Sequence, residues 1–255
     1  MTDSINPNLL SHSLMSASIQ NGPAAYQHWV IILAAGLSTR LGEPKQLLTI
    51  QGKPLIRHMA ELALATKPQG LIVVIPQNDS KIAAALKVLT VTQGAELAHK
   101  LSTDLPIKIV RNPTPQLGMA LSLSLAIDNL RTSMSSWPVS ESTGHTDDLS
   151  VLIMSIDQVR MNPAHLQQLL STQQDNANSI VTTSRYQDII GLPLVVKGSM
   201  LQDWQSSLSG DKGLRHLIRA LPAKAVQSID APELTHDIDT PEQLHLARSQ
   251  GWLDA

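Results

Sequence analysis

The chain contains no cysteine and no phenylalanine. Without thiols, disulfide frameworks, thiolate nucleophiles and zinc-thiolate sites are excluded, and a cytoplasmic location is the expected one. Without phenylalanine, and with only four Trp and two Tyr in 255 residues, the core must be filled by Leu, Ile, Val, Ala and Met. Charge is scarce too: 19 basic against 21 acidic residues give a formal net charge of −2, which leaves no field to hold a nucleic acid. Any anionic ligand must therefore meet a local cluster of cations. Long hydrophobic runs are also missing. The strongest, "WVIILAA" and "LIVVIP", have the length of strands and fall short of the ~18 apolar residues of a membrane-crossing helix, so no membrane partner is expected.

What is present falls into two parts. Residues 1–27 are rich in Ser and Asn, carry no Lys or Arg, and lack the charged start and apolar centre of a signal peptide. They are expected to form a disordered tail ahead of one domain over residues 28–255. From His28 onward, β-branched runs alternate with amphipathic stretches. The spacing predicts strands at "VIILAA", "LIVVIP", "IKIVRN" and "SVLIMSID", and helices at "PLIRHMAELALA", "DSKIAAALKVL" and "MALSLSLAIDNL". Beyond Asp157 come a helix ("PAHLQQLLSTQ"), two β-rich runs ("SIVTTSR" and "LPLVVKG"), a helical region around Trp204 to Leu221, a short strand "AVQSI" and a closing helix from Pro241. The polar segments "TQGAELAHKLSTD" and "SSWPVSESTGHTDD" read as surface insertions. This alternation specifies an α/β fold: one Rossmann-like three-layer domain with a mostly parallel sheet and helices on both faces. In such sheets ligands sit beyond the carboxyl ends of the strands, where the Gly36 turn and Asp157 both lie.

The stretch "VIILAAGLSTRLGEPKQLL", Val30 to Leu48, breaks from an apolar run into a small-residue turn. Its glycines, Gly36 and Gly42, fit neither G-x-G-x-x-G nor a phosphate loop, because Lys45 comes three residues after the second glycine. Ala34-Ala35-Gly36 has little side-chain bulk, so backbone N–H groups could approach an anion or a base edge, with Arg40 and Lys45 supplying charge. Read alone, an ordinary βα turn with two solvated cations remains open. Asp157, at the end of "SVLIMSI", is either a hard oxygen ligand for magnesium or a turn residue. Asp237 and Asp239 precede a helix start at Thr240-Pro241, with Glu242 near its positive end. Gly210, Asp211, Gly213 and Arg215 form a turn into a helix, the seat of a second anion or a plain surface turn. The nine histidines show no H-E-x-x-H spacing, and no G-x-S-x-G elbow occurs.

The stretch from Leu33 to Leu48 resembles the L-A-A-G-x-S-x-R-x-G-x-x-K-x-L-L signature of the MobA-like nucleotidyltransferases, relatives of the molybdenum cofactor guanylyl- and cytidylyltransferases, and meets every fixed position. Further on, "GMALSLSLAI" is similar to the family's G-M-S-x-S-L, "SIDQVRM" to its D-x-P segment, "GLPLVV" to G-H-P-V-L-F, "SGDKGLRHLI" to G-D-x-G-A-R-x-L-L and "DIDTPEQL" to D-x-D-T-P-E-D-L. Together these cover nearly everything after residue 28. Val159 stands where the family usually has proline, Gln243 where it has an acidic residue, and Leu192 where cytidylyl relatives commonly have histidine.

The resemblance implies a fold of the nucleotide-diphospho-sugar transferase type and a magnesium-dependent nucleotidyltransferase. It implies nucleotide binding by Leu33, Ala34, Ala35, Gly36, Arg40, Lys45 and Gly118. Arg40 would grip the β- and γ-phosphates and Lys45 the α-phosphate, as the two catalytic cations. Mg2+ would be held by Asp157 and Asp239, with Asp239 preferred over Asp237. The implied donor is CTP, and the implied acceptor is molybdopterin or the molybdenum cofactor, giving molybdopterin cytosine dinucleotide and pyrophosphate for a molybdenum hydroxylase client. The pair Ala34-Ala35 matches the cytidylyl type, since guanylyl relatives carry glycine at the position of Ala35. Two other readings stand beside this one: a cytidylyltransferase for a sugar or polyol phosphate, and a non-catalytic carrier of the finished cofactor.

Overall fold

Six consecutive buried side chains mark β1 (His28–Leu33) as a strand covered on both faces. Because successive side chains point to opposite sides, Val30, Ile32 and, beyond the strand, Ala34 enter one core, while Trp29, Ile31, Leu33 and Ala35 enter the other. The computed structural model describes residues 27–92, 105–135, 149–210 and 213–255. Residues 1–26 of the tail expected at 1–27, most of both polar insertions (93–104 and 136–148), and Asp211 with Lys212 lie outside the described residues.

The other strands of the main sheet are β4 (Gly70–Pro76), β5 (Ile107–Asn112), β6 (Ser150–Ser155), β7 (Val181–Tyr186), β8 (Ile189–Lys197) and β9 (Val226–Asp230). Their order is β5-β4-β1-β6-β8-β7-β9. Only β8 runs against the rest, pairing antiparallel with β6 and β7, so the sheet is mostly parallel as the β-α-β alternation predicts. Helices α1 (Leu55–Ala65), α2 (Ser80–Thr92), α4 (Pro163–Asp175) and α7 (Pro241–Ser249) pack on the face that holds Val30 and Ile32. The opposite face is covered by α3 (Met119–Ser135), α5 (Gly198–Trp204) and α6 (Arg215–Arg219). Trp29 finds room there because its parallel neighbour is Gly70, where an added Cβ would come within 2.3 Å of the indole ring.

The expected helical region from Trp204 to Leu221 starts earlier and is broken, with α5 and α6 separated by a segment in which Gly210 and Gly213 take φ of +54° and +52°. α5 itself ends at Trp204, where the chain tightens into a short turn and becomes extended at Leu208. A small hairpin, β2 (Thr49–Ile50) with β3 (Lys53–Pro54), also forms, turning through Gln51 and Gly52 at φ +53° and +75°. Among the described residues no helix is long and apolar enough to cross a membrane.

The register of β1 on β6 sets Leu33 beside Ser155. The chain therefore leaves both strands side by side at their carboxyl ends, with the Gly36 turn on one and Asp157 on the other.

Candidate functional site

The turn after β1 is shaped by one buried glutamine. Gln46 donates its Nε2 amide to the carbonyls of both Ala34 and Gly36, each at 2.8 Å. The Ala34 N–H extends the sheet by bonding the Val74 carbonyl at 2.9 Å. Ser38, at φ +53°, accepts at its carbonyl from the N–H groups of Leu41 and Gly42, and at its Oγ from the Lys45 N–H at 3.1 Å. This tight fold-back brings Arg40 and Lys45 over the end of the strand they follow.

The acidic side is assembled from two segments. Ser155, the last residue of β6, donates its hydroxyl to Asp157 Oδ1 at 2.6 Å. The Asp157 carbonyl accepts from Val159 N and Ile238 N, and Gln158 bridges Asp237 backbone to backbone, so the loops carrying Asp157 and Asp239 are stitched together. A proline at 159 would lack the N–H that closes the turn on Asp157. At the start of α7, Thr240 and Gln243 form a reciprocal capping box, and Gln243 Oε1 also accepts from the Asp239 N–H at 2.9 Å. The amide at 243 thus fills an acceptor's place and orients Asp239.

The two halves meet at Lys45. Its Nζ lies 2.6 Å from Asp239 Oδ1 and 3.8 Å from Asp157 Oδ2, and its side chain is 9% exposed. Arg40 reaches the other oxygen of Asp239 at 3.0 Å from a side chain that is 71% exposed. Burial alone would raise the Asp239 carboxyl, but the hydrogen bonds and charges of Lys45 and Arg40 outweigh it and hold the group below its usual range. Asp237 behaves oppositely. Burial, and then the like charges of Asp157 and Asp239, push it up to about 6, against the weaker pull of Lys45 and Arg215. Its Oδ1 is buried without a hydrogen-bond partner.

This donor set fits a hard divalent cation of one kind. Among the described residues no three His, Cys, Asp or Glu side chains form a complete cage. Instead two carboxylates flank Lys45 beside an open cavity, which suits magnesium held by one or two carboxylates with the rest of its shell supplied by other oxygens.

A cavity of about 330 Å³ opens at this point. Of the residues nominated from sequence, Leu33, Ala35, Gly36, Arg40, Lys45, Gly118, Asp157 and Asp239 line it. Ala34 does not line it, because strand alternation turns its methyl into the opposite core. Gly118, with φ 94° and ψ 179°, has a backbone that only glycine adopts readily, and it carries the chain from the Pro115–Leu117 turn into α3 along the cavity wall. Ser38, Thr39, Ser122 and Ser155 also line the cavity and were not nominated. Ser38 and Ser122 occupy serine positions of the motifs quoted above and could have been found there. Gln46 and Ser155 give no sequence signal. Arg215 is not part of the lining, although its charge acts on Asp237.

Residues 30–226 match the family model of the MobA-like NTP transferase domain. The bifunctional protein GlmU of Thermus thermophilus is 42% identical over 62 residues, which are 24% of this chain and 14% of that protein, so the chain spans only a small part of that relative's length. Nicotine blue oxidoreductase of Paenarthrobacter nicotinovorans is 24% identical over 225 residues, 84% of this chain and 93% of that protein. Among solved structures, Rv0371c of Mycobacterium tuberculosis superposes with a TM-score of 0.60 at 21% identity, covering 88% of this chain and 99% of that one. A second structure of Rv0371c, in complex with manganese, superposes with a TM-score of 0.55 at 20% identity over 87% and 97% of the two chains. At these identities the shared property is the fold.

Proposed function

The chain belongs to the MobA-like NTP transferase domain family, a family of nucleotidyltransferases, and from that premise we propose that it transfers CMP from CTP to molybdopterin or its molybdenum-loaded form. The observation that carries this reading is the meeting of Arg40 and Lys45 with Asp157 and Asp239 beside one cavity at the carboxyl ends of β1 and β6.

Such a transfer needs positioning and charge neutralisation rather than a covalent nucleophile. Arg40, long and exposed, holds the β- and γ-phosphates. Lys45, buried at the cavity floor, faces the α-phosphate and offsets the charge that builds as it is attacked. An oxygen of the acceptor phosphate forms a bond to the α-phosphorus, the bond from that phosphorus to the β-bridging oxygen breaks, and pyrophosphate leaves with the electron pair. The acceptor phosphate is already ionised at neutral pH, so no strong general base is needed, and among the described residues no histidine lines the cavity. Magnesium held by Asp157 and Asp239 would supply Lewis-acid neutralisation of phosphate charge. The manganese bound by Rv0371c supports a divalent metal in this fold. The base would be read beside Ala35, and the acceptor assignment rests on the motif resemblance.

A pyrophosphate-release screen of CTP, GTP, ATP and UTP against molybdopterin and several sugar phosphates tests the proposal. Multiple turnovers with CTP and molybdopterin are expected. Turnover with a sugar phosphate alone would move the acceptor to that class. Binding of molybdopterin without pyrophosphate release from any pair would make the protein a carrier, and the transferase proposal would fall.

A further inference from the structure

Both oxygens of the Asp239 carboxylate are already engaged, Oδ1 by Lys45 at 2.6 Å and Oδ2 by Arg40 at 3.0 Å. These are the two cations that the proposed function assigns to the nucleotide's phosphates, so the inference rests on that reading. Asp157 is placed differently: its Oδ1 accepts from the Ser155 hydroxyl at 2.6 Å, and its Oδ2 stands 3.8 Å from Lys45, beyond hydrogen-bond reach. Asp239 is also held from behind, since its own N–H is fixed by Gln243 Oε1 at 2.9 Å. One carboxylate is therefore presented, by its backbone, to both phosphate-binding cations.

We propose that Asp239 is an internal stand-in for the phosphates, so that a polyphosphate and a divalent cation bind this site strongly only as a pair. A polyphosphate arriving alone must take Arg40 and Lys45 from Asp239 and leave that carboxylate facing a second anion. A divalent cation arriving alone must take Asp239 from two cations and sit beside them. Arriving together, the metal takes the carboxylate and the phosphates take the two cations, and no charge in the pocket is left without an opposite partner. The Lys45 side chain is 9% exposed, so bulk salt screens its pairing with Asp239 less than that of Arg40, whose side chain is 71% exposed. Linkage then requires the effect to run both ways: metal must tighten polyphosphate binding by the same factor as polyphosphate tightens metal binding. The arrangement gives the site a means of refusing metal-free nucleotide and free inorganic polyphosphate.

The test uses binding rather than turnover, with inorganic tripolyphosphate as the probe so that base identity is irrelevant. In EDTA, Asp239→Asn removes the negative charge that competes for both cations and is expected to bind tripolyphosphate about tenfold more tightly than the wild-type protein, within the usual range of coupling between sites. Asp157→Asn removes the same charge from the same pocket and is expected to tighten binding much less, because Asp157 hydrogen-bonds neither cation and only stands 3.8 Å from Lys45. With Mn2+ present, the wild-type protein should gain the affinity that Asp239→Asn has already reached without it. Arg40→Gln should weaken tripolyphosphate binding more in Mn2+ than in EDTA, and this arm decides the matter if Asp239→Asn fails to fold. Unchanged or weaker metal-free binding by folded Asp239→Asn, equal tightening by Asp157→Asn, or an Arg40→Gln loss independent of metal would each overturn the inference. A wild-type protein that binds tripolyphosphate with Mn2+ but no nucleoside triphosphate would overturn the proposed function and leave this one standing.

Discussion

At the residue scale the site depends on a few side chains whose loss can be predicted separately. Asp157→Asn keeps the shape and can still accept from Ser155, but it removes a negative charge from the metal's expected position. Turnover is expected to fall by roughly 100-fold or more with little change in melting temperature; near-normal magnesium-dependent turnover would remove Asp157 from the metal's ligands. Ala35 is buried against the core and also lines the cavity, so a base bound as proposed would meet its methyl. The wild-type protein is expected to prefer CTP over GTP by about 10- to 200-fold in kcat/KM, and Ala35→Gly should narrow that ratio. An unchanged ratio would place base selection elsewhere.

A third residue acts away from the cavity. His165 lies in the core with Nε2 2.9 Å from Ser184 Oγ, and Ser184 donates its own hydrogen to the Pro193 carbonyl at 2.6 Å. The imidazole must therefore donate from Nε2. Burial lowers its pKa, with Glu233 only partly opposing. The unfolded chain consequently takes up a proton that the folded chain refuses, and stability should fall as pH drops below about 6.5. His58 is lowered by burial as well, so His165→Gln should flatten the decline in melting temperature between pH 7.5 and 5 without abolishing it. An unaltered slope would mean that His165 is protonated as readily in the fold as out of it.

At the element scale, legibility in the sequence tracks how much of an element's character is local. The apolar runs of β1, β4 and β6 are buried on both faces, and such runs can be read without knowing their neighbours. The reversed direction of β8 could not be read, since "LPLVVKG" contains nothing that distinguishes a parallel from an antiparallel strand. The break between α5 and α6 begins where the chain tightens at Gln205–Ser207 and turns extended at Leu208, a change that apolar spacing does not signal. Motif spacing does not tell which face a residue turns to, and the Ala34 methyl faces the opposite core. Gln46 was missed because its role lies in two backbone carbonyls that only the folded turn brings within its reach.

The hairpin β2–β3 was also missed, with only two residues in each strand, and its support comes from far along the chain. Asp254 accepts from the N–H groups of Gln51 at 2.9 Å and Gly52 at 2.8 Å, and donates its own N–H to the Thr49 carbonyl. Nearby, Trp252 lies under the Arg160 guanidinium at 4.9 Å and against the His236 ring. Residues 252–254 therefore tie down the hairpin beyond Lys45 and touch both acidic segments. Asp254→Ala should speed amide hydrogen exchange at Gln51 and Gly52 while leaving exchange in β1 unchanged. Equal protection in the variant would show that the turn holds without its carboxylate.

At the scale of the whole molecule, the site joins the two ends of the described chain. Arg40 and Lys45 precede the carboxylate they bind by 199 and 194 residues. At a synthesis rate of about 5 to 20 residues per second, Asp239 emerges from the ribosome on the order of 10 to 40 s after them. Through that interval both cations lack the carboxylate that hydrogen-bonds them, so the growing chain carries an anion trap that the segment around Asp239 shuts. Refolding from denaturant should retain the same order, because closing so long a loop is the slowest contact to reward. In a pulse-labelling experiment the N–H groups of Asp239, Gln51 and Gly52 are expected to gain protection after those of β1 and β4; simultaneous protection would show that the long-range closure forms in the same step as the central sheet.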